Sequence, residues 1–135
     1  MTLAQGFKIL VVTTLLALAG GCTPYIHKGA EALPESETVG IRAIDKTLTI
    51  ATVDGVDTLY VLYTQRTDYR LTAGPHRLEI KKWTGTQATR SVFFDVNLIA
   101  GREYGMKYIP LEKWGGRIEV VDMKTNERVS TPVSP

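Results

Sequence analysis

From residue 38 onward, apolar and polar side chains alternate with a period of two, and no segment sustains a period of 3.6. Short strands packed face to face are the fold class that suits such a pattern. Val39, Ile41 and Ala43 alternate with Thr38, Gly40 and Arg42. Leu48, Ile50 and Thr52 alternate with Thr49, Ala51 and Val53. Residues 59–64 are apolar on both faces, which predicts a strand covered on both sides. Further strands are predicted over 76–83, 91–99, 104–109 and 118–122, with a short last one at 128–130. Turn residues separate them: Asp54-Gly55, Ala73-Gly74-Pro75, Gly85, Ala100-Gly101, Gly115-Gly116 and Thr125-Asn126. About seven or eight strands predict a small antiparallel β-sandwich, Ig-like or transthyretin-like, or an open barrel, over 38–131. Residues 132–135 are left as a tail.

Strand parity names the core. His76, Leu78 and Ile80 share one face of their strand, and Arg77, Glu79, Lys81 and Trp83 share the other. Val92, Phe94, Val96 and Leu98 point inward in the next strand. Tyr104, Met106 and Tyr108 do so in the one after it, and Ile118 and Val120 in the last long strand.

The N-terminus has a different layout. Lys8 precedes an apolar run over 9–19, which ends in Gly20-Gly21-Cys22. The run is right for the core of a secretory signal and short of the roughly 20 residues that span a bilayer. Ala19-Gly20-Gly21-Cys22 resembles the bacterial lipobox. That resemblance implies cleavage between Gly21 and Cys22, removal of a signal peptide over 1–21, and acyl chains on Cys22. Each buried methylene contributes about 0.8 kcal/mol, and two or more chains anchor stably. By the same resemblance Thr23, which is not Asp, implies an outer-membrane address facing the periplasm rather than the inner membrane. Residues 22–37 contain two prolines and three glutamates with little periodicity, which predicts a flexible tether. His27 falls in it and is expected to be solvated, without a second ligand.

Tyr69-x-Leu71-x-Ala73-Gly74-x-His76-x-Leu78-x-Ile80, with Val53-Asp54-Gly55 upstream and Leu98-x-Ala100-Gly101-x-x-Tyr104 downstream, resembles a hairpin pattern. It is found in PEGA-like and carboxypeptidase-regulatory-like β-sandwich modules and in small bacterial lipoproteins. The resemblance implies a sandwich whose turn glycines take positive φ, and it brings no catalytic residue.

The chemistry-bearing residues are few. One cysteine rules out an intramolecular disulfide and a multi-cysteine zinc site. A formal net charge of +2 argues against nucleic acid as the main partner. His76 reads as a core-rim histidine bonded to loop backbone. Asp54-Gly-Val-Asp57 lacks the alternating oxygen ligands of a calcium loop and reads as a turn with solvated carboxylates. No nucleophile elbow, phosphate loop or His-Glu-x-x-His motif is present, so no enzymatic activity and no cofactor are expected. Arg77, Lys81 and Trp83 form a basic, aromatic stripe, and Trp114 tips a loop; together they are the candidate interaction surface. The expected function is a noncatalytic, membrane-anchored lipoprotein acting as an interaction or assembly module for another envelope protein. The alternatives are binding of a glycan or small envelope molecule, and inhibition of a periplasmic toxin.

Overall fold

A computed structural model describes residues 24–58, 66–85, 87–113 and 115–133. The signal segment, Cys22, the strand expected over 59–64 and Trp114 lie outside these residues. The described strands are β1 (Tyr25–Ile26), β2 (Thr38–Ala43), β3 (Leu48–Val53), β4 (Val56–Asp57), β5 (Asp68–Thr72), β6 (Gly74–Thr84), β7 (Gln87–Ala88), β8 (Val92–Leu98), β9 (Glu103–Pro110), β10 (Gly116–Asp122) and β11 (Ser130–Val133). A single 3-10 turn at Glu35–Glu37 precedes β2. Among the described residues, no helix is long and apolar enough to cross a membrane.

Two sheets stack into the all-β sandwich that the alternation predicts. One has the order β1-β5-β2-β9-β10; the other has the order β11-β8-β6-β3-β4, with β7 paired to the far end of β6. The core between them holds Val39, Ile41, Leu71, Leu78, Ile80, Phe94, Met106 and Val120, all essentially inaccessible to water. Full burial of an aliphatic side chain of this size contributes about 1.5–3 kcal/mol.

Three details depart from the pattern in the sequence. First, two neighbouring pairs run parallel, β1 with β5 and β2 with β9, so the sandwich is not wholly antiparallel. Parallel neighbours arise here because each chain connection leaves its sheet before returning. Second, β3 bulges between Ile50 and Thr52, so Ile50 faces Ile80 and Val53 faces Leu78. The extra residue, Ala51, shifts parity by one. Val53 is therefore in the core and Thr52 is not, the reverse of simple alternation. Third, β11 runs to Val133 against β8, taking up half of the expected tail.

The sequence pattern around Gly74 is not a hairpin. β5 belongs to one sheet and β6 to the other, and only Ala73 separates them. The same exchange of sheets occurs between β8 and β9, around Gly101. Gly74 has φ +107 and Gly101 φ +78, values that a side chain disfavours. These glycines let the chain fold over the rim of the sandwich in one residue at Ala73 and in four, 99–102, between β8 and β9. Tyrosine hydroxyls add further ties: the Tyr69 hydroxyl, from β5, accepts from the Ile50 amide of β3 in the other sheet (3.1 Å) and donates to the Arg66 carbonyl (2.9 Å). The Tyr104 hydroxyl accepts from the Ile99 amide at 3.0 Å.

Residues 25–37 do not form a free tether. Tyr25–Ile26 adds a parallel edge strand to β5, the His27 amide donates to the Arg70 carbonyl at 2.8 Å, and Ala30 is buried. The Tyr25 ring packs 6.2 Å from that of Tyr69. Composition pointed to a linker, yet the Tyr25–Tyr69 contact, the burial of Ala30 and the β1–β5 ladder hold the segment against the sandwich.

Candidate functional site

The densest cluster of chemistry-bearing groups gathers where β5 passes into β6. Asp54 and Gly55 form the two-residue turn between β3 and β4, with φ of 52° and 80°. Both residues being left-handed is the geometry that an Asp-Gly pair favours in a tight hairpin. The turn is held against β6 by two bonds: the Asp54 amide donates to the Arg77 carbonyl, and the Arg77 amide donates to Asp54 Oδ1, each at 2.8 Å. The other carboxylate oxygen, Oδ2, is thereby aimed at the start of β6.

His76 occupies that position. Its Nδ1 lies 2.6 Å from Asp54 Oδ2. Its Nε2 lies 2.7 Å from the Thr72 carbonyl oxygen and 3.2 Å from the Thr72 hydroxyl. A carbonyl oxygen only accepts, so Nε2 carries a hydrogen and donates to it. His27 comes from the N-terminal segment. Its Nε2 sits 3.7 Å from the same Asp54 oxygen, and its Nδ1 sits 2.9 Å from the Tyr25 hydroxyl. The two imidazoles meet edge to face with centroids 5.9 Å apart. Both histidines are buried, at 6% and 8% exposure, while the Asp54 side chain keeps 41% of its surface in solvent.

The electrostatics follow from this placement. Burial pushes His27 below the ordinary imidazole value; Asp54 pulls it upward and His76 pushes it down again. Burial works against ionisation of Asp54, but the Arg77 amide and the His76 bond and charge outweigh it and hold the carboxyl below its usual range. A ligand atom from each of His27, Asp54 and His76 lies within 4.8 Å of those of the other two.

His76 was expected at the core rim on loop backbone; it is buried beside the Gly74 corner, but the carbonyl it meets belongs to Thr72, the last residue of strand β5. The expectation of a solvated, isolated His27 is corrected: it is buried, and its partners are Tyr25 and Asp54. Nor is the Asp54 carboxylate a free turn group, since it carries the Arg77 and His76 bonds. No local spacing could have joined these three residues, because β1, the β3–β4 turn and β6 meet only through sheet pairing. The weak signal available was that Tyr25-x-His27 has the strand parity to place both rings on one side of an edge strand.

The stripe on β6 is less open than parity implied. Arg77 forms a two-point ion pair with Asp95 at 3.0 and 3.3 Å, and Lys81 lies 4.0 Å from Glu79. Trp83 is half-buried, with its Nε1 shielded from water and without a hydrogen-bond partner among the described residues. Lys82, on the inward parity of the same strand, caps the open end of the sandwich: its ammonium lies 4.4 Å above the Tyr108 ring and 2.6 Å from the Thr47 hydroxyl. Gly21, Cys22 and Trp114 fall outside the described residues. The chain matches no protein-family model, no curated protein and no solved structure.

Proposed function

We propose that this protein is a noncatalytic envelope lipoprotein whose β-sandwich is held close against a membrane as an interaction or assembly module. The observation that carries the reading is the nearness of the expected acylation site to the folded domain. The lipobox-like Ala19-Gly20-Gly21-Cys22 is followed, three residues later, by strand β1. At about 3.3 Å per residue, the sandwich would lie within roughly 10 Å of the acylated cysteine. A tether over the whole of 22–37 would have allowed several times that reach. The exposed side chain of Ile26, next to the anchor, suits a surface that meets lipid headgroups.

The partner in this reading is another envelope protein, and the address is the periplasmic face of the outer membrane. The glycan-binding alternative draws less support, because the cations of its stripe, Arg77 and Lys81, already face Asp95 and Glu79. Labelling with radioactive palmitate, followed by density-gradient separation of membranes, tests the proposal. Wild type should carry label and band with outer membranes, and Cys22→Ser should carry none. Label retained by Cys22→Ser, or wild type in the soluble fraction, would overturn it.

A further inference from the structure

We propose that His27, Asp54 and His76 form a three-ligand site for a borderline divalent metal ion, with zinc the reference ion. This goes beyond the membrane-module reading and does not depend on it.

Two observations carry the proposal. The first is convergence: one ligand atom from each of His27, Asp54 and His76 lies within 4.8 Å of the others, although the residues come from three separate parts of the fold. Two imidazoles and a carboxylate are a donor set that suits zinc and its neighbours rather than calcium or magnesium. The second is the outer shell. Each ligand's remaining polar atom is held by a different group: His76 Nε2 by the Thr72 carbonyl, His27 Nδ1 by the Tyr25 hydroxyl, and Asp54 Oδ1 by the Arg77 amide. Metal-ligating histidines are oriented in this way, with one ring nitrogen donating to an oxygen and the other free for the ion.

The distances fit with movements of up to about 1.4 Å, because the ligand atoms of the two imidazoles are held only to within 4.8 Å of each other. Bonds of about 2.1 Å in tetrahedral array separate ligand atoms by about 3.4 Å. The His27–Asp54 separation of 3.7 Å is close to that, and the His76–Asp54 separation of 2.6 Å must widen by under one ångström. The half-exposed Asp54 carboxylate has the freedom to do so. Its exposure also leaves an open fourth position, for water or for a donor from a partner. The ion would link the N-terminal segment, the β3–β4 turn and β6, and would pin the segment that leads to the anchor.

The test uses untagged full-length protein in detergent micelles, stripped with chelator and titrated with zinc by calorimetry. One ion per chain should bind, in the micromolar range. His27→Gln and Asp54→Asn should each weaken binding by about tenfold or more. Because His76 also ties the β5–β6 corner, its role is read in the wild-type protein: nitrogen-15 resonances of His76 Nδ1 and His27 Nε2 should shift with zinc. No saturable binding up to roughly 0.1 mM zinc, or binding that His27→Gln leaves unchanged, would overturn the site.

Discussion

At the scale of single residues, buried polar groups add to what the apolar core defines. Tyr69 is the clearest case. Burial pushes its phenol up to about 12, because the anion would lose its hydration. A folded-state value above the ordinary one near 10 means that the neutral phenol favours folding. Its contribution is fully present below about pH 10 and disappears as pH rises through about 12. Absorbance titration near 295 nm should therefore find one tyrosine that ionises only as the protein unfolds. Tyr69→Phe should cost about 1–3 kcal/mol in urea denaturation, since the Ile50 amide loses its partner in a dry environment. His76→Ala should cost a similar about 1–3 kcal/mol, through the lost Thr72 and Asp54 bonds. Asp122 acts at the opposite end of the pH scale. The amides of Lys124 and Thr125, with Arg102 adding to them, hold its carboxyl below the usual range. Its stabilising effect is present above the ordinary carboxylate value near 4 and is lost as pH falls through the lowered one. Asp122→Asn should flatten the acid limb of stability measured between pH 5 and pH 2, read by circular dichroism.

At the scale of elements, the corners decide which strand joins which sheet. Gly74 and Gly101 stand where the chain changes sheets, and each has a φ that L side chains avoid. Gly74→Val should cost well over about 1 kcal/mol from backbone strain alone, because open space surrounds the position. Gly101→Val adds a second cost, since a Cβ there would meet the Ser36 carbonyl oxygen at 3.3 Å. Melting curves should place Gly101→Val below Gly74→Val, and unchanged stability in both would refute the corner geometry. The N-terminal segment supplies a further test. Lys28 is exposed but flanked by backbone bonds, from the His27 amide to Arg70 and from the Ala30 amide to His27. Trypsin under native conditions should leave the Lys28–Gly29 bond intact far longer than in the Tyr25→Ala variant, which loses packing on Tyr69.

For the whole molecule, the short link between the expected anchor and β1 sets the height of the sandwich above a bilayer. Energy transfer from the protein's tryptophans to a dansyl-labelled headgroup should be appreciable in liposomes carrying the lipidated protein. Insertion of a Gly/Ser spacer of about 20 residues after Thr23 should reduce it, since a flexible chain of that length extends the mean separation by about 20 Å or more. Equal transfer in the two proteins would show that the domain is not held near the surface by its own link.

Much of the fold was legible in the order of residues alone. Alternation with a period of two named Leu78, Ile80, Phe94, Val96, Tyr104 and Met106 as core, because side chains on a strand must leave on opposite faces. The Asp54-Gly55 turn and the positive φ at Gly74 and Gly101 were legible for a related reason: only a few residue types tolerate such backbones. Alternation could not reveal the bulge at Ala51, which moves Val53 inward, since an extra residue is defined by its partner strand. Nor could it show that the Gly74 corner exchanges sheets instead of closing a hairpin. The His27–Asp54–His76 cluster belongs wholly to the tertiary structure. Its members meet because β1 pairs with β5, β3 pairs with β6, and β5 runs over the rim into β6. Sequence determines which backbones each residue accepts; strand pairing decides which distant side chains share a place, and that is where the chemistry gathers.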